Sequence, residues 1–559
     1  MLLYSDEVLP EVRPLCSTPK RGANAPGLNL SRTDYFSDDT SSSGDLESGL
    51  HNYTNDSSYV CDELNDDTDN ELPAQGLGED GVAEKKYIVF QSCLMELLHH
   101  CKICGASGST VDIVASGTMI STTTKCSGNH VTKWCSQPMA KGKPLGNLLL
   151  SCAILFTGSS PTKVIRLLSV MGVQSLQKTQ YFQYQRCYLL PAVEQAWHSH
   201  QRTLIEEAKH QPRSLAGDGR CDTPGHSADF GTYTLLDTDL NKILHIELVK
   251  STEVASSNRM EREGLQRALH ELTHLGLQIE SLVTDRHSEI KAFMKQYYPA
   301  ICHLFDLWHI GKGLKKKIVA LGRTRQHESV LGWRKTIIRH LYWCAINSKG
   351  NEALFLARWL SILRHIVNVH SHPDPLHPSC FHGELPERDW LVEGSESFLR
   401  LRGILAAPHL LRDLPRASHK AQTFGLEGFH SLLIHFAPKS SRFTYEGILA
   451  RTRIAALHYN ENSCRGTLTD AAGVERFSQR FSRGEKEWTV APVKERATYE
   501  YVPALLSHVM QCLEKWPSFS AAENSVVRSH HDTLSAKYGP KPSMEDARKR
   551  RYSRFAPHT

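Results

Sequence analysis

The spacing of apolar residues along this chain changes several times, and each change marks an element. Between positions 213 and 305, short runs of strand length alternate with helix-period stretches. Residues 213–217 read as a strand ending at Asp218, and residues 233–236 and 243–249 as two more, separated by the turn residues 237–241. Residues 260–275 carry Leu265, Ala268, Leu269 and Leu272 on one helical face, and Gly276 stops the helix. Residues 279–283 give a fourth strand leading to Asp285, residues 289–297 a short helix, and residues 301–305 a fifth strand.

The pattern on either side is helical. Leu148 to Phe156 is the longest apolar run, broken only by Ser151 and far short of the ~18 residues that span a bilayer. A second helix starts at Pro161, carries Val164, Leu167, Leu168 and Met171 on one face, and stops at Gly172. A third, from about Ser175, offers Lys178, Gln180, Gln183, Gln185 and Arg186 to DNA. Residues 141–210 therefore read either as a helix-turn-helix or as a plain helical packing unit. About 120 residues separate Phe305 from Glu427, too many for a bare loop. Residues 318–321, 333–343 and 353–369 have helical spacing, which predicts a helical insertion over 311–418, with the core resuming over 419–470.

Charge divides the chain differently. Residues 1–84 hold 18 Asp and Glu against 4 Lys and Arg, so a chain of net +5 leaves +19 on residues 85–559. The acidic stretch is rich in Ser, Asp, Asn and Gly and predicts disorder over residues 1–86. The basic remainder suits a polyanion, nucleic acid first. Residues 471–559 read as a basic tail whose run Ala547 to Arg554 fits a nuclear import signal or a DNA-clamping arm. The opening residues lack a secretory pattern, and the fifteen cysteines follow no disulfide framework, which predicts reduced intracellular thiols.

Cysteine spacing predicts one metal site. Cys101-x2-Cys104, a β-like spacer and Cys126-x3-His130 place four zinc ligands at zinc-ribbon spacing over 87–140, with Cys135 an alternative fourth ligand. Cys93, His99 and His100 lie close by. Further on, His370, His372, His377, Cys380 and His382 cluster around prolines. They read as loop residues, with a second zinc site as the alternative. Lys312, Lys315, Lys316 and Lys317 form a basic run suited either to phosphate contact or to a solvated face.

Two aspartates beyond strand-like runs and one glutamate in a helical stretch make the sharpest pattern. Hard carboxylate oxygens at such positions suit Mg²⁺, and paired ions serve in-line phosphoryl transfer. Three strands, helix, strand, helix, strand is the order of an RNase H-like fold, in which the first and fourth strands are neighbours, so Asp218 and Asp285 would share a pocket. The stretch from Gly217 to His226, Thr284-Asp-Arg-His287 and Phe305-Asp-Leu-Trp-His309 resemble the catalytic domain of eukaryotic cut-and-paste DDE transposases. Asp306-x2-His309 is similar to the signature several such superfamilies carry after the second aspartate. Glu427, in Thr423-Phe-Gly-Leu-Glu-Gly-Phe-His430, resembles the glutamate motif of Mutator-like and related bacterial transposases. Glu446, at the start of another helix-like stretch, is the alternative.

The resemblance spans roughly residues 95–465 and is nearest to the Kolobok group, although the chain has no THAP zinc-binding domain. It implies a nuclear enzyme in which Asp218, Asp285 and Glu427 hold two Mg²⁺ or Mn²⁺ ions. Those ions would activate water to cleave the element end, and later a 3′-hydroxyl to attack target DNA. His309 and Asp306 would steady the pocket or the flanking DNA. The partners implied are double-stranded terminal repeats, target DNA and further copies of the chain. A domesticated DNA-binding protein without catalysis, or a nuclease without integration, are the rival expectations.

Overall fold

The computed structural model describes residues 81–553 apart from 224–227, 257, 384, 386, 419–422, 483–486 and 526–539. The disorder expected over residues 1–86 therefore falls almost wholly outside the described residues. The described chain is mixed α/β with a mixed central sheet. Among the described residues no helix is long and apolar enough to cross a membrane.

A small module comes first. Helix α1 (Gln91–Leu98) leads into an antiparallel sheet of β1 (Thr110–Ser116), β2 (Met119–Lys125) and β3 (Val131–Cys135). A two-stranded ribbon, β4 (Met139–Ala140) and β5 (Lys143–Pro144), carries the chain into α2 (Leu145–Phe156), α3 (Pro161–Val170) and α4 (Lys178–Tyr184). A π-helical turn at Gln185–Leu189 joins α4 to α5 (Leu190–Ala208). On α3, Val164 and Ile165 pack against a small core of Ile154, Leu176 and Tyr181, while Leu167 and Met171 are exposed. Gln185, the first residue of the π-helical turn, is buried, and Gln180 of α4 accepts the amide of Gln177 through its Oε1. Arg186 is drawn toward Glu523 at 3.6 Å.

The central sheet comprises β6 (Arg213–Cys221), β7 (Phe230–Asp237), β8 (Lys242–Lys250), β9 (Ile279–Thr284) and β10 (Cys302–Phe305), in the order β10-β9-β6-β7-β8. β10 and β6 run parallel to β9, whereas β7 is antiparallel to both β6 and β8. Both faces are covered, as the unbroken burial of β7 requires. On one face lie α6 (Asn258–His274) and α7 (Ser288–Tyr297), with Leu265, Leu269 and Ile290 packed against Leu215 and Leu282. On the other lie α5, α13 (Phe424–Phe436), α14 (Tyr445–Asn462) and α15 (Tyr501–Lys515), which share one core with Ala216 and Leu236.

The insertion builds its own core. Helix α8 (Leu307–Gly322), a 3₁₀ segment at Arg325–Trp333, α9 (Arg334–Ser348), α10 (Glu352–His365), α11 (Glu396–Leu405) and α12 (Pro408–Asp413) bury Trp333, Trp359, Leu341 and Leu401 together. Residues 471–559 are more than a basic tail. They hold the hairpin β11 (Phe477–Ser482) and β12 (Glu487–Pro492), and α15, whose Leu505, Val509, Cys512 and Leu513 lie in the main core. Helix α16 (Phe519–Ser525) packs on the π turn through Phe519 and Tyr188. The basic run falls on α17 (Met544–Ser553), but the side chains of residues 551–553 and all of Arg554 lie outside the described residues.

Candidate functional site

Asp218 sits inside β6 and not at a strand end, because the strand continues to Cys221. Gly217-Asp218-Gly219 is therefore extended backbone, pairing with Leu235, Thr234 and Tyr233, and its glycines do not make a turn. They leave room. A Cβ on Gly217 would come within 2.5 Å of Tyr233 Oη, and one on Gly219 within 2.7 Å of Glu261 Cγ. A tyrosine from β7 and a glutamate from α6 fill the spaces flanking the aspartate.

The strand register brings the acids together. Parallel β6 and β9 place Leu215 opposite Leu282 and Ala216 opposite Val283. Continued two residues further, the same register brings Asp218 alongside Asp285. β10 pairs Phe305 with Thr284, and Asp306 N donates to Thr284 O, so Asp306 follows at the next strand end. Burial pushes the Asp285 carboxyl above its ordinary range, and the charge of Asp218 pushes it further. Its Oδ1 accepts the His287 amide at 3.2 Å. Beyond it, Arg286 and Lys291 both pair with Asp413 of α12, at 2.5 and 2.8 Å, fastening this loop to the insertion.

Glu427 enters from the first turn of α13, where a carboxylate is favoured by the helix dipole. Burial and then the repulsion of Asp218 raise its pKa. One turn on, His430 Nδ1 lies 3.4 Å from Asp218 Oδ2. Among the described residues its buried Nε2 has no hydrogen-bond partner. His309 spans Asp306 and Glu427, with Nδ1 2.9 Å from Asp306 Oδ2 and Nε2 3.9 Å from Glu427 Oε1. Burial opposes protonation of that ring. The hydrogen bond and charge of Asp306, then Asp218 and Asp285, outweigh it and raise its pKa.

Asp306 is fully buried and caps α8, accepting the amides of Trp308 and His309. Thr423 Oγ1 donates to its Oδ2 at 2.8 Å. Burial would raise this carboxyl, but the His309 bond and charge and the Thr423 bond hold it below the ordinary value. Its oxygens are thus committed to the protein, and it positions His309 and the start of α13.

Two buried guanidinium groups fix the far end of α13. Arg220 of β6 donates to Ala437 O at 3.0 Å, and Arg451 of α14 donates to Phe436 O at 2.9 Å. Positive charge at a helix C-terminus is favourable. Arg451 also donates to Gly158 O and Ser159 O in the turn between α2 and α3. Glu427 is therefore held from both ends of its helix. Glu446 lies in the first turn of α14, and it is Glu427 whose charge is coupled to that of Asp218.

Sequence reasoning missed Glu261, His430 and Tyr233. Burial, then Asp285, Asp218 and Glu289, push Glu261 well above the ordinary carboxyl value. No spacing along the chain signals it, because its place depends on α6 crossing Gly219. Four carboxyl groups, those of Asp218, Glu261, Asp285 and Glu427, are thus concentrated here, and the last three are raised first by burial and then by neighbouring acids.

Soft ligands gather elsewhere. The ligand atoms of Cys101, Cys104, Cys126 and His130 all lie within 4.8 Å of one another. Cys104 Sγ and Cys126 Sγ are 3.8 Å apart, and His130 Nδ1 is 3.6 Å from Cys126 Sγ and 3.9 Å from Cys101 Sγ. A tetrahedral zinc with its usual bond lengths sets S···S and S···N edges at about 3.8 and 3.5 Å. The amides of Cys104 and Ile103 bring the Cys101 thiol down to about 6, toward the thiolate that a metal needs. Cys135 faces Ser121 instead, His99 bonds Ser109 O and His100 bonds Glu96 O, so none of these three joins the cluster. A second cluster comprises His365, His370, Cys380 and His382. Set against known proteins, the chain matches no family model and no curated protein.

Proposed function

We propose that this chain is a DNA transposase, or a protein derived from one, with an RNase H-like catalytic domain that cleaves and transfers DNA strands. The single observation that carries the reading is the meeting of Asp218 and Asp285 across neighbouring parallel strands, with Glu427 brought to Asp218 by α13. The sheet order and the helix between third and fourth strands support the fold assignment.

Asp218, Asp285 and Glu427 would hold Mg²⁺ or Mn²⁺, with Glu261 a fourth carboxylate beside them. Bound divalent ions would supply Lewis-acid activation of the attacking oxygen and neutralise charge at the phosphate. The chain's residues do the rest. Asp306 and Thr423 orient His309, whose raised pKa keeps a donor ring facing Glu427 and the approaching DNA backbone. Lys312 stands exposed over the Trp308 ring at 4.3 Å, beside Glu427, and Lys316 and Lys317 continue the exposed basic side of α8. That surface suits phosphates of the bound duplex. The Cys3His module would be a zinc ribbon and, with the helical module of residues 141–210, would recognise terminal repeats. Pairing of two element ends calls for a homo-oligomer, and the substrate places the protein in the nucleus.

The test is nicking of supercoiled plasmid with Mg²⁺ or Mn²⁺ by wild type, D218N and D285N, paired with Tb³⁺ luminescence as a direct readout of ion binding. Both variants should lose ion binding and at least ~10²-fold in nicking, the scale of removing one electrostatic group from a transition state. Wild-type nicking and Tb³⁺ binding that survive in both variants would sink the assignment.

A further inference from the structure

We infer that the helical insertion carries a structural zinc ion bound by His365, His370, Cys380 and His382, a site independent of the acid cluster and of the N-terminal Cys3His module. His365 is in the last turn of α10, and the other three lie on the segment that folds back over it. A bridge between Ser371 and Ser379, with Cys380 N donating to His370 O at 3.0 Å, closes that segment into a narrow loop. The closure puts His370 and Cys380 side by side, and Cys380-x-His382 then delivers the fourth ligand.

The distances fit the metal. All four ligand atoms lie within 4.8 Å of one another. His365 Nδ1 is 3.3 Å from His382 Nε2 and 3.6 Å from Cys380 Sγ. Tetrahedral zinc bonded to nitrogen and sulfur sets N···N and N···S edges at about 3.3 and 3.5 Å. The three imidazole rings stand nearly perpendicular in every pair, with centroids 4.8–5.1 Å apart and interplanar angles of 78–88°. Rings that converge edge-on present nitrogens to a common centre. Stacked rings would not.

Proton bookkeeping points the same way. His382 Nδ1 lies 2.8 Å from Gly383 O, and a carbonyl only accepts, so Nδ1 carries the proton and Nε2 a lone pair. His370 Nε2 lies 3.0 Å from Asn368 Oδ1, which leaves the lone pair on Nδ1. Among the described residues that buried Nδ1 has no hydrogen-bond partner. Ligating histidines characteristically donate their other nitrogen to a carbonyl or carboxylate in this way, fixing the tautomer. A purely hydrogen-bonded cluster would account for His365, His382 and Cys380 but leave His370 Nδ1 orphaned.

The ligand set differs from the histidines that the sequence gathered around the prolines. His365 joins, while His372 and His377 stack on each other at 5.1 Å and 19°, with His377 against Trp343. His372 Nε2 lies 3.2 Å from Cys380 Sγ and would donate to the thiolate from outside the ligand shell. Four protein ligands leave no open position, so the ion is structural. It would pin the segment against Trp390, which lies 5.9 Å from His365 and 5.7 Å from His370.

Zinc per chain, measured by mass spectrometry on the full-length protein, tests this. Wild type should carry two ions. C101S should carry one, and C380S, H365A and H370A one each, while H372A and H377A keep two. A wild type with a single zinc that C101S removes, or C380S retaining two, overturns the site. Loss of zinc in H372A with retention in H370A overturns the ligand set. Should C380S fail to fold, Co²⁺ exchange of wild type decides. Two bound cobalt ions, one with the charge-transfer band of a single thiolate, support the site, and one ion with a three-thiolate spectrum alone overturns it.

Discussion

The acid cluster and the two Cys/His clusters are assembled in opposite ways. The soft clusters draw on neighbours in sequence, residues 101–130 and 365–382, and need only a turn or a short loop to close. The acid cluster draws on β6, α6, β9, β10, α8 and α13, and exists only when the whole sheet is formed. Its carboxylates also oppose one another, whereas thiols and imidazoles at bonding distance share a ligand's interest in one ion. Local clusters can therefore fold with their metal, while the dispersed cluster is held against its own repulsion by packing, Asp306 and the two arginines.

The largest test of that contrast is C101S. Metal binding of ~10–16 kcal/mol is typical where zinc and folding are one event. Hydrogen exchange should show residues 91–135 losing protection while β6, β9 and β10 keep theirs. Equal loss in the sheet would mean that the module is not autonomous. Next comes the third acid. E427Q should lose at least ~10²-fold in nicking, and E446Q should stay close to wild type. The reverse ranking would move the site to α14.

Replacing Thr423 by Val removes one donor from a buried, ionised carboxylate. It should cost about 1–3 kcal/mol in urea denaturation, and a neutral result would mean Asp306 is satisfied without it. D285N should act in the other direction. An acid whose pKa is raised on folding holds more protons folded than unfolded, so it weakens the fold as pH climbs from the ordinary carboxyl range through the raised value. In magnesium-free buffer D285N should melt above wild type at pH 7, with the gap closing toward pH ~4. A gap that ignores pH would show that ionisation of Asp285, opposed first by burial and then by Asp218, is not the cause.

How much was legible follows the same division. The strands from 213 to 305 could be read because each is a short apolar run between turn residues, and their order sets Asp218 beside Asp285. Glu261 could not, because its place depends on α6 crossing Gly219, and no spacing along the chain states which helix crosses which glycine. His430 is one helical turn from Glu427 and was within reach of a periodicity argument. Helix α15 was also within reach, since Leu505, Val509, Cys512 and Leu513 recur at helical spacing within the basic C-terminal residues.

Arg451 has a mechanical consequence. One guanidinium grips the loop at Gly158 and Ser159 and the last turn of the glutamate's helix at the same time. Any reorientation of the α2–α3 elbow must drag α13 along or strand a cation in the interior. Under the proposed function, grip on a DNA end and alignment of Glu427 would thereby be geared together through a single side chain.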